Sequence, residues 1–389
     1  MDINKVRADT KGCSDKIFLN SAGSSLVPAA VTAQMISYLE EEALTGGYAL
    51  ANKFTAEVQE FYTQAAILLN CRPQNIAFTT SATDAYAKAI SSVPFKAGDV
   101  ILTTDDDYIS NQLSFLSLKE HYGIDIVRGS NAEDGSLDLA AFEELVKQHQ
   151  PRLIALTHIP TSSGLVQPAE EVGEICRKYD ILYLLDACQS VGQLVVDVQK
   201  IGCDFLTATG RKFLRGPRGT GFLYVSDRVL QTEMVPLIFD MQAAKWTGFD
   251  SYALVATAAR FEFWEASVAG KLGLATALQY ANSVSIAAIE AYNAGLMKQF
   301  RAMLQEVPGL QLHDKGRRLS NILTFTIANR TIEELTALLN QHEVYYSISY
   351  KDFALIDFTK KNLNRAIRFS PHYFNTAEEL EKVIAILVS

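Results

Sequence analysis

One stretch, residues 181–225, constrains the fold more than any other part of the chain. It opens with five apolar residues, a run that is typical of a strand buried on both faces of a parallel sheet. Asp186 follows this run, and Lys212 follows a second predicted strand at residues 204–207. In open α/β sheets, ligands bind beyond the carboxyl ends of the strands. We therefore expect a carboxylate and a lysine amine to meet in one site.

The rest of the chain continues this alternation of strands and helices. Strands are predicted at residues 75–79, 99–104, 124–128, 152–158, 181–185, 204–207 and 222–225, and helices at 29–44, 54–69, 85–92, 139–147 and 170–178. Such alternation predicts an α/β domain with a mostly parallel sheet covered by helices on both faces.

The pattern changes near residue 256. Beyond it we predict a long helix pair, then strands at 322–327, 344–348 and 365–369 and helices at 331–341 and 377–387. This mixture indicates a smaller α+β domain. We expect an N-terminal segment (1–25) that reaches the active site, a large domain (26–255) and a small C-terminal domain (256–389).

Composition narrows the function classes. The 389 residues are 48% hydrophobic and 20% charged, as in a globular protein with a large core. The net charge of −9 argues against nucleic acid as a partner. No apolar run approaches the ~18 residues of a membrane span, and the N-terminus lacks the apolar core of a signal peptide. The five cysteines lack metal-ligand spacing, so we expect reduced thiols, no metal and a cytoplasmic location without membrane attachment.

The expected pair of Asp186 and Lys212 suits one cofactor, pyridoxal 5′-phosphate (PLP). PLP needs a lysine amine for covalent attachment and an anion at its pyridine nitrogen, so that the protonated ring can withdraw electrons from the substrate. Thr209 and Arg211 can donate hydrogen bonds to a phosphate, and Gln189 can bond a ring substituent. The sequence therefore predicts a PLP site with Lys212 as the catalytic base.

A second feature is the run of small and hydroxyl residues at Ser81, Ala82 and Thr83, between a predicted strand and a predicted helix. The free N–H groups at a helix N-terminus, together with side-chain hydroxyls, can hold an anion such as phosphate. Helix capping alone selects the same residue types, so the run by itself leaves both interpretations open.

The residues around Asp186 and Lys212 resemble the class V aminotransferases, which are PLP enzymes of fold type I. That family includes cysteine desulfurases, C–S lyases and isopenicillin N epimerase. The resemblance covers nearly the whole chain and implies a seven-stranded, mostly parallel sheet and a homodimer with active sites at its interface. It also implies that Ser81, Ala82 and Thr83 bind the PLP phosphate.

The resemblance assigns further residues to the site. In the family an aromatic ring stacks on PLP and is often followed three residues later by Asn, and Tyr108 and Asn111 match these positions. We assign the stacking to Tyr108. Thr161 stands where a residue contacts the cofactor ring, a position that is typically Asn in cysteine desulfurases. The acids at residues 105–107 are interpreted as a solvated loop without a role, and His158 as a structural residue beneath the site.

The predicted substrate residues come from both ends of the chain. Arg368, in the sequence RFSPHYFNT, resembles the arginine that binds the substrate α-carboxylate, and guanidinium chemistry suits this role. The segment with Asn20, Ala22 and Gly23 resembles one that touches the substrate, although an ordinary turn before a helix would look alike. The segment around Arg260 resembles one that family dimers present to the partner's active site, and whether Arg260 itself makes that contact stays open.

The type of reaction is less constrained than the cofactor. Cysteine desulfurases carry a nucleophilic cysteine shortly before the carboxylate-binding arginine, but residues 347–363 contain none. Cys188 is interpreted as a small core residue. The sequences TGRK, HIPTSSG and RFSPHYFNT resemble C–S lyases, including those of ergothioneine biosynthesis, and isopenicillin N epimerase. We predict β-elimination from a cysteine-derived amino acid to pyruvate and ammonia. An aminotransferase, an epimerase and a PLP-binding protein without turnover are the alternatives.

Overall fold

The computed structural model describes residues 1–389. Its fifteen strands are β1 (Ile17–Phe18), β2 (Ile76–Thr79), β3 (Val100–Thr104), β4 (Asp125–Gly129), β5 (Leu153–Thr157), β6 (Leu182–Asp186), β7 (Phe205–Thr209), β8 (Gly221–Val225), β9 (Ala244–Gly248), β10 (Ser251–Leu254), β11 (Leu310–Leu312), β12 (Leu323–Ile327), β13 (Val344–Tyr345), β14 (Ser347–Tyr350) and β15 (Arg365–Phe369).

Sixteen α-helices connect and cover these strands. They are α1 (Ile3–Ala8), α2 (Ser21–Ser24), α3 (Ala29–Thr45), α4 (Gly47–Lys53), α5 (Thr55–Leu69), α6 (Ala82–Ser91), α7 (Ile109–Tyr122), α8 (Leu139–His149), α9 (Ala169–Tyr179), α10 (Val198–Ile201), α11 (Asp227–Leu230), α12 (Val268–Val284), α13 (Ile286–Gln305), α14 (Ile332–Gln341), α15 (Leu355–Lys360) and α16 (Ala377–Val388).

The larger sheet has seven strands in the order β2-β8-β7-β6-β5-β3-β4. All neighbouring pairs are parallel except those that β8 makes with β2 and β7, so the predicted seven-stranded, mostly parallel α/β fold is confirmed. The central strands β5, β6 and β7 are buried at every position, as expected for apolar runs covered by helices on both faces.

This strand order determines where the functional residues meet. The carboxyl ends of β5, β6 and β7 lie at one edge because the three strands are parallel, with Thr157 opposite Asp186 and Asp186 opposite Thr207. Strand β2 has the same direction as β7, because both are antiparallel to β8. The loop that follows β2 therefore reaches the same edge of the sheet as the loops after β6 and β7.

The second sheet has four antiparallel strands in the order β11-β12-β15-β14. Residues 344–348, predicted as one strand, form two: β13 pairs with β1 and β14 pairs with β15. The prediction was wrong because the run is continuous in sequence while its two halves have different partners. The N-terminal segment is joined to the same unit, since Asn20 forms a bridge with Ser370.

The helix pair predicted from residue 256 begins later than expected. Residues Ala258–Phe261 form a 3-10 turn, and α12 starts after Ser267, whose hydroxyl caps it by accepting a hydrogen bond from the N–H of Gly270. Leu274 and Leu278 of α12 belong to the core of the larger sheet. The domain boundary at residue 255 stays a prediction, and the packing of α12 favours a boundary after this helix.

No single helix is long and apolar enough to cross a membrane. Helices α12 and α13 reach the required length and apolar content only as a pair, across a bend of 73°.

Candidate active site

All ten residues that the sequence predicts for the cofactor line one pocket at the carboxyl edge of the larger sheet. They are Ser81, Ala82, Thr83, Tyr108, Thr161, Asp186, Gln189, Thr209, Arg211 and Lys212. The cavity volume of this pocket is about 80 Å³. Its lining also includes Asn111, Thr157, Ile159 and Cys188, none of which the sequence predicted as cofactor residues.

Asp186 is the last residue of β6, and its buried carboxylate is held on both oxygens. The backbone N–H of Cys188 donates to Oδ1 at 2.9 Å, and Nδ2 of Asn111 donates to Oδ2 at 3.0 Å. Each carboxylate oxygen can accept a further hydrogen bond. Asp186 can therefore accept one from a protonated ring nitrogen without losing its protein partners.

Lys212 lies in the turn that follows β7 and is 9% exposed. Its Nζ is 5.8 Å from the centre of the Tyr108 ring. Burial lowers the pKa of Lys212 below its ordinary value, although Cys188 and Asp186 oppose this shift. A lysine whose pKa is depressed carries a larger fraction of the neutral amine, which is the form that acts as a nucleophile or base.

The start of α6, where the sequence predicts phosphate binding, lines one part of the pocket. Ser81 is the N-cap, and its Oγ accepts a hydrogen bond from the N–H of Asp84 at 3.0 Å. The capping interpretation is therefore correct for Ser81, and it is compatible with anion binding, because the first-turn N–H groups have no partner within the helix. Gly221 permits this approach: a Cβ there would lie 2.7 Å from the carbonyl carbon of Ser81 and 2.9 Å from the nitrogen of Ala82.

Gln189 connects the loop after β6 with the N-terminal segment and with the loop after β5. Its buried Nε2 donates to Oγ1 of Thr161 at 3.2 Å and to the carbonyl of Ala22 at 3.2 Å. Its Oε1 is buried and has no hydrogen-bond partner. An unpaired buried acceptor is costly, so a ligand that donates a hydrogen bond here would be stabilised.

Arg368 extends from β15, in the small sheet, toward the same pocket. Nη1 donates to Oγ1 of Thr161 at 2.5 Å, Nη2 donates to Oδ1 of Asn20 at 3.3 Å, and Nε is buried without a partner. Burial lowers the pKa of Arg368 to about 10, with a smaller effect from Arg211. The guanidinium is thus buried without a countercharge, which favours binding of an anionic group.

The N-terminal residues lie beside these groups. The carbonyl of Ala22 accepts from Gln189, and the carbonyl of Gly23 accepts from Nη1 of Arg211. Asn20 contacts Arg368 directly. The four predicted substrate residues, Asn20, Ala22, Gly23 and Arg368, are therefore brought to the rim of the cofactor pocket from opposite ends of the chain.

Two secondary interpretations from sequence need correction. Residues 105–107 are not a solvated loop: Asp106 is buried and pairs with Lys315, and Asp107 accepts several hydrogen bonds. Cys188 lines the pocket and is only partly buried, because it lies past the end of β6 and not within the strand.

His158 and Arg260, two other residues considered in the sequence analysis, are both buried. His158 is buried beneath the site, but its Nδ1 lacks a hydrogen-bond partner, contrary to a fully satisfied structural role. Burial lowers the pKa of His158 to about 3, so the ring is neutral. Arg260 is also buried and donates to the carbonyl of Val229 at 2.7 Å. Its guanidinium is thus engaged within its own subunit.

The arrangement fits PLP on the features that the cofactor requires. A helix N-terminus and Arg211 could hold the phosphate, Asp186 could face the ring nitrogen, and Lys212 offers an amine in the same pocket. When bound, PLP supplies an electron sink for bonds at the substrate Cα.

Comparison with known proteins agrees with this fit. The family model "Aminotransferase class-V" matches residues 17–383. A probable cysteine desulfurase of Methanothermobacter thermautotrophicus is 30% identical over 387 residues, covering 98% of this chain and 96% of that protein. A probable cysteine desulfurase of Pyrococcus abyssi is 27% identical over 391 residues, covering 98% and 96%.

Solved structures show the same fold. The apo cysteine desulfurase of Thermococcus onnurineus superposes with a TM-score of 0.91 and 25% identity, covering 100% of this chain and 98% of that one. A cystine C–S lyase in complex with cysteine persulfide superposes with a TM-score of 0.87 at 19% identity, covering 98% of this chain and 99% of that one. At this level of identity the match shows a shared fold only. With a family model that spans residues 17–383 and a pocket that fits the cofactor, the chain belongs to the class V aminotransferase family of PLP-dependent enzymes.

Proposed function

We propose that this enzyme cleaves the C–S bond of a cysteine-derived amino acid by β-elimination. The Cα–H and Cβ–S bonds break and a Cα=Cβ bond forms. Sulfur leaves with the bonding electron pair and takes up a proton, so that a thiol is released. The unsaturated amino acid then reacts with water to give pyruvate and ammonium.

The position of the pocket's thiol is the observation that carries this proposal. Cys188 is the one cysteine in the pocket lining, and its backbone N–H donates to Oδ1 of Asp186 at 2.9 Å, which keeps this residue beside a carboxylate. A neighbouring carboxylate disfavours the thiolate, and protonated thiols are poor nucleophiles. A sulfur atom that leaves the substrate would thus depart as a small molecule and would not be captured by the protein.

The segment before Arg368 supports the same conclusion. Residues 347–363 contain no cysteine, and Asp357 within them forms ion pairs with Lys315 at 2.6 Å and Lys361 at 2.9 Å. Asp357 is buried, so loss of either partner would be costly. These contacts hold α15 in place.

The proposed roles follow from the geometry of the site. Lys212 would remove the Cα proton as a neutral amine, and Asp186 would hold the ring nitrogen in its protonated form. Tyr108 would pack against the ring beside Lys212. Arg368 would bind the α-carboxylate and orient the Cα–H bond toward Lys212.

The products test the proposed reaction. PLP-loaded enzyme given L-cystine or an S-alkyl-L-cysteine should release pyruvate and ammonium in equal amounts, without any added 2-oxo acid. Pyruvate can be followed with lactate dehydrogenase and ammonium with glutamate dehydrogenase. Enzyme with Lys212→Ala serves as the control for spontaneous breakdown of the substrate.

A second candidate is cysteine desulfuration, which the relatives' names favour. Alanine with transferred sulfur, in place of pyruvate, would make this the better assignment. Amino transfer to an added 2-oxo acid, or racemisation at Cα without C–S cleavage, would likewise replace the lyase by an aminotransferase or an epimerase.

Arg368→Lys should lower kcat/KM about ten- to a hundredfold, because a charge-assisted hydrogen bond contributes about 1.5–3 kcal/mol. The lysine ammonium cannot form the bidentate pair of hydrogen bonds that a guanidinium makes with the substrate α-carboxylate. Steady-state kinetics on the same substrate measure the change. Arg365→Lys is the matched control, since Arg365 lies on the same strand but faces the surface and pairs with Glu333. Equal values for both variants would contradict the assignment of Arg368.

We further propose that the enzyme is a homodimer. Large apolar side chains are exposed along residues 237–252 of one subunit, with Trp246 81% and Phe249 98% exposed. Trp264, in the segment expected to face the partner, is 54% exposed. Exposed apolar groups at this density are typical of protein interfaces.

The five free thiols support the cytoplasmic location expected from the sequence.

A further inference from the structure

We infer that Asp107 is a positioning residue for Asp186, acting through the side-chain amide of Asn111. This inference rests on the role proposed for Asp186 at the PLP nitrogen and does not depend on which bond the enzyme cleaves. Neither Asp107 nor Asn111 touches the reacting atoms in this arrangement.

The carboxylate of Asp107 is bound entirely by neutral donors. Five groups donate hydrogen bonds to it at 2.5–3.1 Å: Oγ1 of Thr103, the backbone N–H of Tyr108, Nδ2 of Asn111, Nε2 of Gln112 and Oγ1 of Thr157. Its neighbours differ, since Asp105 pairs with Lys360 and Asp106 pairs with Lys315. A carboxylate held by so many aligned donors and no cation acts as a fixed acceptor.

Asn111 connects the two carboxylates. Its buried Nδ2 lies 2.9 Å from Oδ1 of Asp107 and 3.0 Å from Oδ2 of Asp186. An amide nitrogen carries two hydrogens, which is the number needed to donate once to each carboxylate. Thr157, at the end of β5, closes the group by donating to Asp107.

The charge of Asp107 determines which way the Asn111 amide faces. An ionised carboxylate only accepts hydrogen bonds, so it selects the nitrogen of the amide and not the oxygen. The same nitrogen then donates to Asp186 and restrains its carboxylate plane. If residue 107 could donate, the amide could rotate and present its oxygen to Asp186, which would repel the carboxylate.

The loop that carries Asp107 is itself anchored. The ion pairs of Asp105 with Lys360 and of Asp106 with Lys315 join this loop to the unit that contains α15.

Burial raises the pKa of Asp107, while the hydrogen bonds from Thr157, Asn111 and Gln112 oppose that rise. The donors therefore favour the ionised form that orients Asn111.

The variant Asp107→Asn tests the inference, because it keeps the shape but converts half of the acceptor into a donor. The holoenzyme is reconstituted with PLP labelled with ¹⁵N in the ring, and the ¹⁵N chemical shift is measured without substrate. We expect the shift to move toward that of unprotonated pyridine and kcat to fall about tenfold, as for one lost hydrogen bond to a charged group. The control Asp125→Asn makes the same change at an exposed carboxylate on β4 and should leave the ¹⁵N signal unchanged.

A double-mutant cycle distinguishes positioning from general support of the fold. Asn111→Ser should reproduce the ¹⁵N shift of Asp107→Asn, and the double variant should be no worse than either single one, because both changes remove the same connection. Additive losses would overturn the inference. So would an unchanged ¹⁵N signal in Asp107→Asn while Asp186→Asn alters it. If Asp186→Asn also leaves the signal unchanged, the role proposed for Asp186 fails, whatever the products of the reaction.

Discussion

Lys212→Ala is expected to reduce turnover by three orders of magnitude or more. The variant removes both the covalent attachment of the cofactor and the proposed base, and general acid–base catalysis alone contributes about 10²–10⁴-fold. The fold should survive, because the amine is not part of an ion pair and alanine leaves room in an existing pocket. Turnover is measured by pyruvate release, and circular dichroism checks the fold.

Chemical labelling locates the same residue independently. Borohydride reduces the C=N bond between PLP and its lysine, so digestion and mass spectrometry should find the cofactor on the peptide that contains Lys212. The matched control is Lys382→Ala, which changes an exposed lysine on α16 and should keep both label and activity. A label on any other lysine would refute the assignment.

Asp186→Asn is expected to lower kcat by about 10²–10³-fold, the range found when one preorganised electrostatic partner of a transition state is removed. The amide cannot hold a proton on the ring nitrogen by charge, so electron withdrawal from Cα is weakened. The variant should still bind PLP, though less tightly, because the predicted phosphate-binding residues at the start of α6 are unchanged.

Absorbance of bound PLP and steady-state kinetics measure the two effects of Asp186→Asn separately. Full PLP occupancy combined with a near-normal kcat would mean that the protonated ring nitrogen is not used in this enzyme. Loss of PLP together with loss of thermal stability would indicate a failure of the fold, and the ¹⁵N experiment on Asp107→Asn would then provide the independent test of this interaction.

The larger sheet was predictable from sequence because its signals are local. The apolar runs that became β5 and β6 are bounded by polar residues, and strands of this kind are buried by whichever helices cover them. The small sheet was less predictable. Residues 344–348 look like one strand, but pairing with β1 and with β15 divides them, and the identity of a strand's partner is not a local property.

Residues at the carboxyl ends of adjacent parallel strands must meet, so the positions of Asp186 and Lys212 in sequence were enough to predict a shared site. Their chemical types then indicated the cofactor. Asp107 was misread because a run of acids looks solvated when its partners are unknown. Those partners lie on three segments, on β3, at the start of α7 and at the end of β5, and they surround Asp107 only once the sheet has formed. The chemical roles of single residues can thus be predicted from the local sequence. The hydrogen bonds around Asp107 cannot, because they join segments that come together only when the chain packs.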